Sequence, residues 1–257
     1  MLEIEKLTFS YPDGTRVFER FHWQVQRRDS WAVLGPSGCG KTTLLYLLAG
    51  LLQPDVGSIL IEGERLERPR PRTGLILQDY GLLPWATVAE NAQLGLRVRA
   101  FYGPDGRHAP SDENAAGGLA RVDAWLERLG LLGLKDQYPS QLSGGQRQRT
   151  AIARTLALNP DLLLMDEPFA SLDVPTRESL QDLILDLRKD HDLTTIIVTH
   201  TIEEAAVLGR KILVLLQPPI KSARVIDNPD AGTPDYRDTK AYQHTTATLR
   251  AALEVGG

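Results

Sequence analysis

Trp31-Ala32-Val33-Leu34-Gly35-Pro36-Ser37-Gly38-Cys39-Gly40-Lys41-Thr42-Thr43 is the stretch that decides the fold. Four apolar residues read as a short buried strand and run straight into a turn with the spacing G-x-x-x-x-G-K-T. Lys41 to Leu52 then reads as a buried helix closed by Gly50 and Pro54. Strand, turn and helix in that order are the setting in which backbone N–H groups wrap phosphate oxygens. Lys41 is spaced to reach the outer phosphates of a nucleotide, and the Thr42 hydroxyl to ligate Mg²⁺. Cys39, inside this turn, reads as a small residue that fits the loop.

On the N-terminal side, Leu2 to Phe9 and Val17 to Val25 read as two strands joined at Pro12-Asp13-Gly14. After the first helix, Ser58 to Ile61 and Leu75 to Leu77 read as further strands. From Pro84 to Leu158 the period turns helical, with Thr87 and Glu90 spaced as a capping box and Gly130 stopping a run through Val122, Trp125, Leu126 and Leu129. Phe101 to Gly118, rich in Gly, Pro, Asp and Ala, reads as a surface loop. The α/β pattern returns with apolar strands at Leu162 to Met165, Thr194 to Val198 and Ile212 to Leu216, and a helix through Leu180, Leu183, Ile184 and Leu187. Beyond Pro218-Pro219 only a helix near Thr246 to Leu253 is legible.

A second anion-binding helix start follows far downstream. Leu142-Ser143-Gly144-Gly145-Gln146-Arg147-Gln148-Arg149 opens a helix expected over Gln146 to Leu158. Its free N–H groups and dipole suit a phosphate oxygen, with no side chain on either Gly to block approach. Asp166 and Glu167 close a buried strand, where open α/β sheets keep their chemistry. Asp166 there suits a Mg²⁺ shell, and Glu167, one residue on, can orient or deprotonate a water. Gln78 and His200 end two other strands in the same way, and Tyr11 precedes a turn; singly each carries little.

Composition narrows the class. At 257 residues the chain holds one large domain or a core with a subdomain; 42% hydrophobic and 24% charged content are ordinary globular values. A net charge of −4 speaks against a dedicated nucleic-acid binder. One cysteine precludes an intramolecular disulfide and fits a reducing compartment. No stretch approaches the ~20 apolar residues that span a bilayer, and the N-terminus lacks a signal-peptide layout. The expectation is a cytoplasmic chain that works at a membrane, if at all, by gripping another protein.

Taken in order, Tyr11, Gly35 to Thr43, Gln78, Ser143-Gly144-Gly145-Gln146, Asp166-Glu167, Ser171-Leu172-Asp173 and His200 resemble the motifs of the ATP-binding cassette (ABC) ATPases. The resemblance implies an α/β fold: a P-loop NTPase core with a mixed sheet flanked by helices, an N-terminal antiparallel β subdomain and an inserted α-helical subdomain. The expected division is 1–83 with 159–216 for the core and β subdomain, 84–158 for the helical subdomain, and 217–257 as a tail.

It further implies ATP and Mg²⁺ as cofactors. Tyr11 stacks on adenine, Gly35 to Thr43 form the Walker A loop, and Gln78 touches Mg²⁺ and the lytic water. Thr42, Gln78 and Asp166 serve the metal; Glu167, His200 and Gln78 serve catalysis. Ser143 to Gln146 are the signature, Asp173 belongs to the D-loop, and His200 contacts the γ-phosphate. Two copies are expected to close head to tail around ATP.

The segment Leu82-Leu83-Pro84-Trp85 resembles the nitrate/sulfonate/taurine importer group, in which it faces membrane permease subunits served by a solute-binding protein. That places the chain on the cytoplasmic face of the membrane, without nucleic acid. A single cassette driving envelope remodelling or signalling is the alternative. Two departures stand out: Phe101 to Gly118 is long for the family, and Gly209-Arg210 replaces a frequent Asp-Arg.

Overall fold

The computed structural model describes residues 1–112, 115–170, 172–190 and 192–254. Its elements in chain order are β1 (Leu2–Ser10), β2 (Arg16–Val25), β3 (Ser30–Leu34), α1 (Lys41–Leu48), β4 (Val56–Ile61), β5 (Glu64–Arg65), β6 (Thr73–Ile76), α2 (Val88–Tyr102), α3 (Ala115–Arg128), α4 (Gly144–Leu156), β7 (Leu162–Asp166), α5 (Val174–Asp190), β8 (Thr194–Thr199), α6 (Ile202–Leu208), β9 (Lys211–Val214), β10 (Arg224–Asp227) and α7 (Lys240–Glu254). Contacts group them into two compact units: Met1–Pro69 with Leu164–Glu167 and Ile184–Gly257, and Arg70–Leu163 with Pro168–Leu183.

In the first unit, β1 and β2 pair antiparallel, with Leu2 opposite Val25 and Ile4 opposite Trp23. The turn is held by Gly14 N–H donating to the Tyr11 carbonyl and Thr15 N–H to the Asp13 carboxylate. Strict alternation would turn Leu7 outward. Left-handed residues at Lys6 (φ 48°) and Arg20 (φ 52°) coincide with register shifts, and Leu7 and Phe21 return to the buried face. β4 and β5 complete this sheet in the order β2-β1-β4-β5.

A six-stranded mixed sheet has the order β10-β9-β3-β8-β7-β6. Its centre, β3, is buried along its whole length and pairs parallel with β8 and β9. That explains its uninterrupted apolar run. β10 pairs antiparallel with β9 at the edge and is largely exposed, so no apolar pattern announces it.

The C-terminal segment joins this unit closely. Ile220 N–H donates to the Val17 carbonyl and the Ile220 carbonyl accepts from Glu19 N–H. Leu249 and Ala252 of α7 pack with Ala205 and Ala206 of α6 on Ala32, Leu34, Ile212 and Val214. α7 begins at Lys240, earlier than its legible half, because Thr239 caps it: Tyr242 N–H donates to Thr239 Oγ1 at 3.1 Å. Asn228, 2% exposed, is saturated: its amide donates to the Ala206 and Gly209 carbonyls at 2.7 and 2.8 Å and accepts from Tyr236 and Thr245. Asn228→Ala strands those buried groups and is expected to lower stability by about 1–3 kcal/mol. A denaturant midpoint unchanged from the wild type would show that the clamp is dispensable.

The second unit is built on α2, α3 and α4 with β6 beside α4. Thr87 and Glu90 form the expected capping box on α2. The loop expected over Phe101 to Gly118 is shorter: α2 runs to Tyr102 and α3 starts at Ala115. The helix expected from Gln146 starts at Gly144, since the two glycines form its first turn. Buried Asn91 braces the preceding turn, accepting from Leu83 N–H at 2.8 Å and donating to the Leu83, Ala86 and Thr87 carbonyls. Trp85 stands on that turn 73% exposed.

Candidate nucleotide site

In the first unit, β3 delivers the chain into the glycine-rich loop. Gly40 ends it at φ 101°, and a Cβ there would lie 2.4 Å from Val17 Cγ1, so only glycine lets α1 start at Lys41. Lys41 is 5% exposed, and its ammonium donates to the Gly35 and Pro36 carbonyls at 2.8 and 2.9 Å. The loop thus carries a buried cation together with N–H groups from the start of α1, a cradle for an anion. Cys39 is buried, and burial pushes its thiol up against the pull of Lys41. It is held neutral, which suits the packing role read from the sequence.

Thr42 Oγ1 donates to Asp166 Oδ1 at 3.2 Å, joining the start of α1 to the end of β7. Burial raises the Asp166 carboxyl and the Glu167 charge adds to that; the Thr42 hydrogen bond and Lys41 oppose it. Asp166 is therefore a buried carboxylate short of positive charge. Glu167, the next residue, takes φ 42°, where a non-glycine side chain stores about 1–3 kcal/mol of strain. Its N–H donates to the Val198 carbonyl at 2.9 Å, and its Oε1 lies 3.1 Å from His200 Nδ1. The strain at Glu167 therefore accompanies a carboxylate aimed at His200.

His200 is positioned by a residue that sequence reading missed. Glu204 of α6, 4% exposed, accepts from Thr199 Oγ1 at 2.6 Å, and Thr201 N–H donates to that same hydroxyl. The turn between β8 and α6 is fixed on both sides of His200. Tyr11 lies at the rim of the same unit: its hydroxyl is 2.8 Å from Thr43 Oγ1 and Phe9 meets its ring edge-on. Tyr11, the loop residues Gly35 to Thr43, Asp166, Glu167 and His200 thus all belong to one unit.

Gln78, Ser143 to Gln146 and Asp173 belong to the second unit. Ser143 caps α4: its Oγ accepts from Gln146 N–H at 3.2 Å, and Gln146 Oε1 accepts from Ser143 N–H at 2.8 Å. The hydroxyl proton of Ser143 stays available for donation. A Cβ on Gly145 would lie 2.5 Å from Thr176 Cγ2, so glycine is required for this approach. The N–H of Thr176 also donates to Asp173 Oδ2 at 3.4 Å, and the Thr176 side chain, with that N–H behind it, lowers the Asp173 carboxyl. Thr176 therefore ties the signature to Asp173. Ser171, expected to open the D-loop, lies outside the described residues.

Gln78 is exposed in the turn after β6. That turn is held by Arg154 of α4, which donates to the Tyr80 and Gly81 carbonyls at 2.7 and 2.6 Å. Nothing in the spacing of Arg154 points to this partnership. No group of three or more His, Cys, Asp or Glu able to hold a metal occurs among the described residues.

Residues 18–170 match the family model described as ABC transporter, which is more than half of the chain. The chain belongs to the ABC transporter family. The cassette is 37% identical to an aliphatic sulfonates import ATP-binding protein (SsuB) of Bacillus cereus, over 97% of this chain and 93% of the relative. It is 40% identical to a taurine import ATP-binding protein (TauB) of Pseudomonas aeruginosa, over 90% of this chain and 81% of the relative.

Solved cassettes share its fold. One is a dimeric post-hydrolysis state of the ATP-binding cassette MJ0796 with ADP and Pi, at TM-score 0.73 and 28% identity over 88% of this chain and 98% of that one. The other is cbiO1 of Clostridium perfringens, part of the ABC transporter complex cbiONQ, at TM-score 0.74 and 26% identity over 99% and 97%. The cassette binds ATP, hydrolyses it and couples that hydrolysis to transport. No helix among the described residues is long and apolar enough to cross a membrane.

Proposed function

We propose that the cassette powers uptake of small organosulfonates, of the aliphatic sulfonate and taurine type, through separate permease subunits served by a solute-binding protein. The observation that carries this reading is Trp85, 73% exposed on a turn braced by buried Asn91. A large aromatic held rigidly in the open is the mark of a contact with another protein. The sulfonate and taurine importers among its relatives support the solute class. Docking on a permease places the cassette peripherally, on the cytoplasmic face of the membrane.

Two copies sandwich two ATP molecules head to tail. Lys41 and the loop N–H groups hold the phosphates, and Ser143 and Gly145 of the second copy close over them. Tyr11 packs on the adenine once its hydroxyl leaves Thr43. The buried carboxylate of Asp166 with the Thr42 hydroxyl is an all-oxygen donor pair, the kind a hard cation prefers. Mg²⁺ would be held there, neutralising phosphate charge; Gln78 keeps the role that its resemblance gives it. Glu167 takes the proton of the attacking water while His200 orients the carboxylate and faces the γ-phosphate.

The test is growth of the native organism, with and without this gene, on an alkanesulfonate or taurine as sole sulfur source. Growth that fails without the gene and returns with it supports the reading. Normal growth on both solutes, accompanied by envelope defects, would instead establish the remodelling role.

A further inference from the structure

The second unit carries a cleft that ATP turnover does not use. It lies between α2 and α3, encloses about 410 Å³, and takes its apolar walls from Leu96, Ala100, Pro104 and Leu119. Among the described residues that line it, Arg97 and Arg99 carry the charge. Pockets for small ligands span roughly 300–1,000 Å³ and combine mostly apolar walls with a few fixed polar groups.

One wall comes from Gly103 and Pro104, in the turn after α2, and it is built. Asp105 accepts from the N–H groups of Arg107, His108 and Ala109, and its second oxygen lies 2.7 Å from His108 Nδ1. The His108 ring stacks on Tyr102 at 3.9 Å, which fastens the turn after Pro104 to the last residue of α2. Ala109 is buried behind it.

The two arginines differ. Arg99 is 4% exposed and donates to the Pro71 carbonyl. Arg97 is exposed and forms no ion pair among the described residues. Leu119, across the cleft on α3, is 56% exposed. An unpaired cation beside an apolar channel is complementary to one chemistry: a short apolar chain ending in an anion.

We propose that this cleft binds short n-alkanesulfonates, with the chain against Leu96, Ala100 and Leu119 and the sulfonate on Arg97. The choice of sulfonate over other amphiphilic anions rests on the proposed solute class; the cleft's preference for a charged head does not. The site is separate from the nucleotide loop and leaves basal ATP hydrolysis to the residues already described.

Calorimetric titration of the full chain with 1-hexanesulfonate tests it, with ATP turnover as the control for folding. Saturable one-to-one binding is expected. Arg97→Gln should weaken it about tenfold, the loss of one charge-assisted contact, and Leu119→Trp should abolish it by filling the cleft. 1-Hexanol, with the same chain and no charge, should bind at least about tenfold more weakly. Absence of saturation, equal binding of the alcohol, or binding that survives both substitutions would overturn the site. So would retention on phosphatidylglycerol vesicles without binding of the free sulfonate. Growth on alkanesulfonates without such binding sinks the site and spares the transport reading. Binding in an organism that does not use this gene for sulfonate growth does the reverse.

Discussion

Glu167→Gln is expected to lower steady-state ATP hydrolysis by about two to four orders of magnitude while leaving ATP affinity within a few fold of the wild type. The substitution preserves shape. The backbone that holds residue 167 at φ 42° is fixed by its N–H bond to the Val198 carbonyl, which a side-chain change does not touch. A glutamine oxygen can still meet His200, so the local hydrogen bonding survives. What disappears is the capacity to accept a proton from water. The glycine-rich loop proposed to hold phosphate, with Lys41 on the Gly35 and Pro36 carbonyls, is unchanged. The variant should therefore accumulate as an ATP-bound dimer, visible by light scattering. Turnover within about tenfold of the wild type would remove Glu167 from the role of base.

Ser143→Arg is the second large effect, and it falls on assembly. ATP affinity of the single chain should persist, because the nucleotide loop lies in the other unit. ATP-driven dimerisation and turnover should be lost, since an arginine at the N-cap puts bulk and charge where a second copy must close on ATP. The substitution also removes the capping bond from Gln146 N–H, worth about 1 kcal/mol. Ser143→Gly separates the two causes, because glycine at an N-cap costs only a few tenths of a kcal/mol. If Ser143→Arg in the Glu167→Gln background still dimerises with ATP, the composite site fails.

Much of this site was legible because each part announces itself locally. The phosphate loop joins an apolar strand to a helix within a few residues. Asp166 and Glu167 close a strand whose burial on both faces leaves a continuous apolar run. The residues that stayed hidden are those whose meaning is a distant partner. Asn91, Arg154, Thr176, Glu204 and Asn228 are ordinary polar residues until the chain folds and gives each a carbonyl, a hydroxyl or a glycine to hold.

Edges were hidden for a related reason. β10 buries too little to show an alternating pattern, and the first half of α7 carries threonine and tyrosine where periodicity would be sought. The contact boundary falls at Pro69 and Arg70, ahead of the helical pattern at Pro84, because β6 and the Gln78 turn pack with α4. Trp85 faces outward, on a turn whose carbonyls buried Asn91 holds from beneath.

The grip of Arg154 on the Tyr80 and Gly81 carbonyls has a mechanical consequence. Ser143 and Arg154 sit near opposite ends of one unbroken helix, about 16 Å apart at 1.5 Å per residue. A helix of that length, hydrogen-bonded along its run, moves as one body, so a displacement of its glycine end carries its arginine end with it. Arg154 joins that end to Tyr80 and Gly81, on the stretch of chain that runs on to Trp85. Under the proposed function, α4 is a piston whose head closes on nucleotide and whose foot rests under the permease contact.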